Sequence, residues 1–233
     1  MPDHRISIFQ RFDVLKDLSA GAVEDLSAAC TWTTAPSGKQ IVLANESSGE
    51  VYFIMNGRVR VLLYSAVEGK PVLFATLGAF EMFGEVAAID GGARSATVEA
   101  DGDCLLAVLA REQFLRFIQT YPAFSVAVMK QLAAQVRRLS DRIYEFSTLG
   151  VQARVYAELL RIAALAGEEN GQALLSPAPL LVEIAARVST HREAVSRVIS
   201  RLQENAILRR EGATIRVLDM SRLRKLLLEE KGE

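Results

Sequence analysis

The spacing of hydrophobic positions along this chain changes period twice and so divides it into three regions. Over residues 9–30, Phe12, Leu15, Leu18, Val23, Leu26 and Cys30 fall on one side, which predicts a helix. From 31 to about 109 the apolar runs shorten to Lys39–Leu43, Glu50–Met55, Arg58–Tyr64, Pro71–Thr76, Ala96–Ala100 and Cys104–Leu109. Turn-forming residues separate them: Pro36-Ser37-Gly38, Asn56-Gly57, Glu68-Gly69, Gly78 and Asp90-Gly91-Gly92. Short strands recurring about every ten residues predict a sandwich or barrel. Asn56-Gly57 between two apolar runs is a hairpin signal, because both residues tolerate the positive φ of a tight turn.

Helical spacing then returns. Arg111–Thr120 is a short helix that stops at Tyr121-Pro122, and a long helix runs from Ala123 to about Phe146. On the long helix Val126, Met129, Leu132, Ala133, Val136, Leu139, Ile143 and Phe146 recur at steps of three and four. This seam suits a partner helix, so a homodimer through 123–146 is expected, the other reading being packing within the same domain. Ser147-Thr148-Leu149-Gly150 reads as a hinge, followed by an amphipathic helix Val151–Leu165 that Gly167 ends. A polar loop spans Glu168–Pro179. Two short helices, Leu181–Val188 and His191–Glu204, precede a hairpin over 207–218 and a last helix capped by Asp219 or Ser221.

Composition narrows the class. With 233 residues, 50% hydrophobic and 24% charged, the chain has material for one large or two ordinary globular domains. Net charge is −1, so any contact with nucleic acid must come from local placement. Residues 151–233 carry 13 Lys and Arg against 11 Asp and Glu, a small local surplus. Cys30 and Cys104 lie far apart in apolar settings and read as buried thiols in a reducing compartment. Met1-Pro2-Asp3-His4 is polar without a signal-like run behind it, and no apolar run reaches the ~18 residues of a membrane span. A cytoplasmic protein without a membrane partner is therefore expected. There is no nucleophile–base pair, metal-ligand spacing or Walker loop, which argues against an enzyme and against a metal or covalent cofactor.

Two segments carry chemistry. The first runs from Val182 through Ile199. Two short helices crossing over a tight turn need a small residue at the crossing, which Ala185 supplies, and apolar inner faces, which Ile184, Val188, Val195, Val198, Ile199 and Leu202 supply. The outer face of the second helix is polar: His191, Arg192, Glu193, Ser196, Arg197, Ser200 and Arg201. Arg can bond guanine O6 and N7, and Glu can accept from cytosine N4, so this face suits the major groove of duplex DNA. A wing follows, in which Arg209, Arg210 and Arg216 flank a Glu211-Gly212 turn and can meet phosphates. The competing reading is a solvated surface helix of mixed charge.

The second segment is Phe83-Gly84-Glu85-Val86-Ala87-Ala88-Ile89-Asp90 with Arg94-Ser95-Ala96 after it. Arg94 could pair a phosphate, Ser95 could bond it, the amides of a Gly84-Glu85 helix start favour an anion, and Glu85 could accept a ribose hydroxyl. An internal Glu85–Arg94 ion pair is the alternative.

This segment resembles the phosphate-binding cassette of cyclic nucleotide-binding domains. With the C-terminal motif, residues 10–225 resemble the cyclic AMP receptor branch of the Crp/Fnr regulators, through Gly38, Gly57, Gly84-Glu85, Arg94-Ser95-Ala96, Pro122, the long helix and Ile184–Arg197 without a gap. The resemblance implies an α+β fold: an N-terminal jelly-roll-like β-roll over 1–122, a dimerisation helix and hinge over 123–150, and a winged helix-turn-helix over 151–233. It implies a homodimeric transcription regulator gated by a cyclic nucleotide, cyclic AMP first and cyclic GMP second, on a palindromic DNA site, and it allows RNA polymerase as a further partner. Glu85 would hold the ribose 2′-OH, and Arg94, Ser95 and the Gly84 and Glu85 backbone the cyclic phosphate, with Val86 and Ala96 alongside. Arg192, Glu193 and Arg197 would read base edges in TGTGA-like half-sites.

The chain departs from the branch at two places. Leu139 and Ser140 stand where a Thr-Ser pair contacts adenine, and Phe80 stands where Gly is frequent. Two cysteines cannot hold the iron–sulfur cluster of the oxygen-sensing branch, and the histidines are only His4 and His191, which disfavours a haem sensor. A ligand-independent regulator with a structural cassette, and a cyclic-nucleotide-binding module of an enzyme, are the remaining alternatives. The reading helix and wing argue against the latter.

Overall fold

The structure is a computed structural model that describes residues 2–64 and 71–232. The Glu68-Gly69 turn lies outside the described residues. Two helices open the chain, α1 (Pro2–Phe9) and α2 (Ala20–Ala29), the latter capped by the Ser19 hydroxyl. The single helix expected over 9–30 is therefore interrupted. Phe9, Phe12, Leu15 and Leu18 stand three apart, and the amides of Phe12, Leu15 and Leu18 bond the carbonyl three residues back. That period belongs to tight turns rather than to an α-helix, and it lets Phe9, Phe12 and Leu15 all be buried.

The strands follow as β1 (Thr31–Ala35), β2 (Gln40–Val42), β3 (Val51–Asn56), β4 (Arg58–Tyr64), β5 (Pro71–Gly78) and β6 (Met82–Phe83); then come helix α3 (Glu85–Asp90), β7 (Thr97–Ala100) and β8 (Cys104–Leu109). They form two antiparallel sheets, ordered β1-β8-β3-β6 and β2-β7-β4-β5. The alternation of β3 explains why it is apolar or aromatic from Val51 to Met55. Val51, Phe53 and Met55 face a helical layer that includes Phe9, Phe12 and Leu26, while Ile54, with Leu106 of β8, packs with Val59 and Val98 of the second sheet. Edge-to-face contacts of Phe53 with Phe9 and Phe12 bind the opening turns to this sheet. At the Asn56-Gly57 hairpin, Gly57 has φ +93°, and a Cβ there would come within 2.6 Å of the Asp103 carbonyl.

Helices α4 (Arg111–Thr120) and α5 (Pro122–Thr148) complete the first unit, which ends at Val136 inside α5. Phe124 and Val128 of α5 are buried and Leu132 packs beside them. In contrast Val126, Met129, Val136, Leu139, Ile143 and Phe146 are exposed.

The second unit, Arg137–Glu233, has its own core. After α5 come α6 (Val151–Ala166), β9 (Ala173–Leu175), α7 (Leu181–Arg187), α8 (Arg192–Glu204), β10 (Leu208–Glu211), β11 (Thr214–Val217) and α9 (Met220–Lys231), whose cap is the Asp219 carboxylate. Strand β9 lies in the segment expected to be a polar loop. Its Ala173 and Leu175 are buried, and it extends the wing to a sheet of order β10-β11-β9. Too short to show a period, it exists because β11 offers it a free edge.

The turn from α7 to α8 is closed by backbone bonds: Thr190 N–H donates to the Ala185 carbonyl and Val188 N–H to that of Ile184. This is a Schellman-type end with Ser189 in the left-handed region at φ 51°. Ser189→Gly relieves that strain and is expected to raise stability by about 0.5–1 kcal/mol in urea unfolding. A loss of stability would mean that the Ser189 side chain contributes more than the strain costs.

Candidate functional site

Gly84 is the N-cap of α3, with φ 91°. A Cβ there would lie 2.6 Å from the Glu50 carbonyl and 2.7 Å from Arg94 Nη1, so both conformation and space exclude a side chain. The reason for the crowding is Arg94, which is 3% exposed. Its Nε donates to Ser48 Oγ at 2.8 Å, Nη1 to the Gly84 carbonyl at 3.2 Å, and Nη2 to the Glu50 carbonyl at 2.9 Å and to Glu50 Oε2 at 3.2 Å. The ion pair of Arg94 is thus made with Glu50, in place of the internal Glu85–Arg94 pair considered from the sequence. Ser95 beside it is exposed, Ala96 half-buried and Val86 exposed on α3.

Glu85 is 3% exposed, and its Oε1 accepts from Gln135 Nε2 of the long helix at 3.0 Å. Gln135 had not been singled out from the sequence. It continues the stripe Phe124, Val128, Leu132 that faces the β-roll, and a polar residue ending a buried stripe is the signal that marks it. Leu139 and Ser140 lie about one turn further along α5, on exposed positions. Phe80 keeps a left-handed φ of 71°, and its ring packs edge-on to Phe12 with the Arg11 guanidinium 3.8 Å from its centroid. The glycine-like backbone of the loop is retained with an aromatic side chain.

Burial pushes the Glu85 carboxyl above its ordinary value of 4.5, against its own backbone amide, Gln135 and Arg94, which favour the ionised form. A carboxyl raised on folding contributes stability that is present below 4.5 and lost as pH rises through the folded value. Glu85→Gln is therefore expected to gain stability relative to the native chain as pH rises through this window. Urea midpoints at stepped pH check it, and a difference independent of pH would overturn it.

In the second unit the outer face of α8 is as the sequence predicts. His191 is the N-cap, Arg192, Glu193, Ser196, Arg197, Ser200 and Arg201 are exposed, and Val195, Val198, Ile199 and Leu202 are buried. Glu193 in the first turn and Arg201 in the last suit the helix dipole. Three of the candidate DNA-binding arginines, Arg201, Arg210 and Arg216, have partners within the unit. Arg201 Nη1 donates to Gln152 Oε1 of α6 at 3.0 Å. Arg216 makes a two-pronged pair with Glu211 across the wing turn, at 3.1–3.3 Å, and that bond holds the Glu211 carboxyl below its ordinary value. Arg209 stands opposite Arg216 in the hairpin and is exposed, and Arg210 is exposed with its Nε 3.4 Å from the Gly212 carbonyl. Among the described residues, Arg192, Glu193, Arg197 and Ser200 are thus exposed on the reading helix with no side-chain partner.

A β-roll with a buried Glu and Arg at a glycine-started helix, followed in the same chain by a helix-turn-helix and wing, defines a DNA-binding transcription regulator with a sensor domain. The family model of the cyclic nucleotide-binding domain matches residues 32–121, and that of the Crp-like helix-turn-helix domain matches residues 153–226. The chain is 30% identical to the cyclic AMP receptor protein of Thermus thermophilus, over 82% of this chain and 85% of that protein. It is 25% identical to the CRP-like cAMP-activated global transcriptional regulator of Mycobacterium tuberculosis, over 93% of this chain and 96% of that protein. The CooA structure from Carboxydothermus hydrogenoformans shares the fold, with a TM-score of 0.77 at 21% identity over 91% of each chain. The chain belongs to the Crp/Fnr family, whose members are DNA-binding transcription regulators rather than enzymes. Among the described residues no helix is long and apolar enough to cross a membrane.

Proposed function

We propose that this protein is a homodimeric transcription regulator that binds a cyclic nucleotide at Glu85 and Arg94 and thereby favours binding of α8 to a palindromic DNA site. One observation carries the reading: Gln135 of the long helix reaches Glu85, so the group that would take a ribose hydroxyl is bonded to the helix that leads toward the DNA-binding unit. The phosphate would meet Arg94 and Ser95. Cyclic AMP is the first candidate, since the curated relatives are cAMP-activated regulators, and cyclic GMP the second, since Leu139 replaces the Thr of the adenine-contacting pair. The dimer is supported by the exposed seam Val126, Met129, Val136, Leu139, Ile143 and Phe146, a stripe of apolar side chains that water disfavours. A cytoplasmic setting, with RNA polymerase as a further partner, goes with this role.

A second reading has its own support. Ser48, Gly84 and Glu50 already occupy the Arg94 guanidinium, so the cassette is held together without a ligand, as a ligand-independent regulator would need.

Calorimetric titration with cyclic AMP and with cyclic GMP, paired with DNA anisotropy with and without each nucleotide, separates the two. Ligand-gating predicts heat with at least one nucleotide and tighter DNA binding in its presence, because coupling between sites is reciprocal. Ionised Glu85 is the acceptor of the ribose hydroxyl, so the nucleotide affinity should also rise with pH through the raised Glu85 value. No heat with either nucleotide favours the second reading.

A further inference from the structure

Among the described residues, the buried charge that lies away from the cassette and the reading face is Glu158 of α6, whose side chain is 2% exposed. Arg187, the last residue of α7, donates from Nη1 to Glu158 Oε1 at 3.1 Å. Arg161 donates from Nε to Oε2 at 3.0 Å, and its other two nitrogens clasp Glu145 of the long helix at 2.7 and 3.1 Å. Arg142, one turn before Glu145, pairs with Glu158 Oε2 at 3.3 Å and donates from Nη1 to the Arg187 carbonyl at 2.8 Å. Arg154, one turn before Glu158, donates to the carbonyls of Val188 and Leu149 at 3.0 and 3.1 Å. The Arg187 and Val188 carbonyls at the α7 terminus thus accept from arginines of the long helix and α6.

We propose that Glu158 is a positioning residue: with Arg142 and Arg187 it ties the last turns of the long helix to the end of α7 and so sets the angle at which the reading helix is presented. The chain from Arg187 to His191 is the short turn that α8 grows from, so a shift of the α7 terminus carries α8 with it. A carboxylate buried here gains no stability that well-packed apolar side chains could not supply, but it fixes one geometry through directed bonds. The inference rests on the reading that α8 enters the groove, and does not depend on which ligand, if any, the cassette takes.

The test uses full-length Arg142→Gln, which leaves Glu158 with Arg161 and Arg187, and Arg142→Lys, which keeps the charge. Amide exchange of Val188 and Thr190 is read without ligand or DNA, and affinity is read for a palindromic TGTGA-type duplex against a random duplex. For Arg142→Gln we expect exchange at these amides about tenfold faster and the specific-to-random affinity ratio about tenfold smaller, with Arg142→Lys restoring most of both. If Arg142→Gln lowers the urea midpoint while exchange in the turn and the affinity ratio match the native chain, the network is only structural and the proposal is overturned. Failure of cyclic nucleotides to bind the native chain would instead remove the gating reading, since the exchange measurement requires none.

Discussion

Arg94→Ala is expected to lower nucleotide affinity about a hundredfold and to destabilise the first unit by roughly 2–4 kcal/mol. Both effects come from one guanidinium. It presents five N–H groups, and among the described residues four hydrogen bonds to Ser48, Gly84 and Glu50 use it. Removing it takes these donors from the carbonyls of Gly84 and Glu50 and empties the space that a buried side chain filled beside Gly84. The affinity loss follows from the missing charge-assisted bond to the phosphate. The two effects separate through Glu50→Gln. The Glu50 carboxylate, on a side chain 45% exposed, competes with a phosphate for the same nitrogen. Its neutralisation should tighten nucleotide binding while costing little stability. Calorimetry and urea unfolding measure the pair. Should Arg94→Ala lose stability and bind cyclic AMP like the native chain, the phosphate does not sit at Arg94.

The second large effect is expected at Arg197. Arg197→Ala should cost about 1–3 kcal/mol on the specific duplex and relax preference at one base position. The residue is exposed on α8, so alanine removes no packing there. Its neighbours provide internal controls. Arg201 already donates to Gln152 and Arg216 to Glu211, so Arg201→Ala and Arg216→Ala should weaken binding less than Arg197→Ala. Anisotropy on specific and random duplexes over a range of salt distinguishes the roles. Equal losses on both duplexes, with a shallower salt dependence, would make Arg197 a phosphate contact.

What the sequence carried most faithfully was local. Short apolar runs between turn residues marked β3, β4, β7 and β8, helical spacing marked α5 and α6, and the spacing from Ile184 to Leu202 marked the two helices of the DNA-binding unit with their buried faces. The interruption between α1 and α2 was missed because positions three apart fit both a helix and a run of tight turns. Strands β1, β6 and β9 were missed because two- to five-residue segments form only against a neighbour: β1 on β8, β6 on β3, β9 on β11.

The site divides in the same way. Gly84, Glu85, Arg94 and the outer face of α8 were legible because each depends on a few adjacent residues. That Arg94 pairs with Glu50, that Gln135 reaches Glu85, and that Glu158 gathers Arg142, Arg161 and Arg187 were decided by tertiary structure. Arg94 and Glu50 lie 44 residues apart, and Gln135 and Glu85 lie 50 apart. Hydrophobic period selects elements and the faces they bury, since burial is nearly indifferent to which apolar neighbour is met. A buried charge or amide is different, because it needs a partner at one distance and in one direction, and only the packed chain brings that partner there.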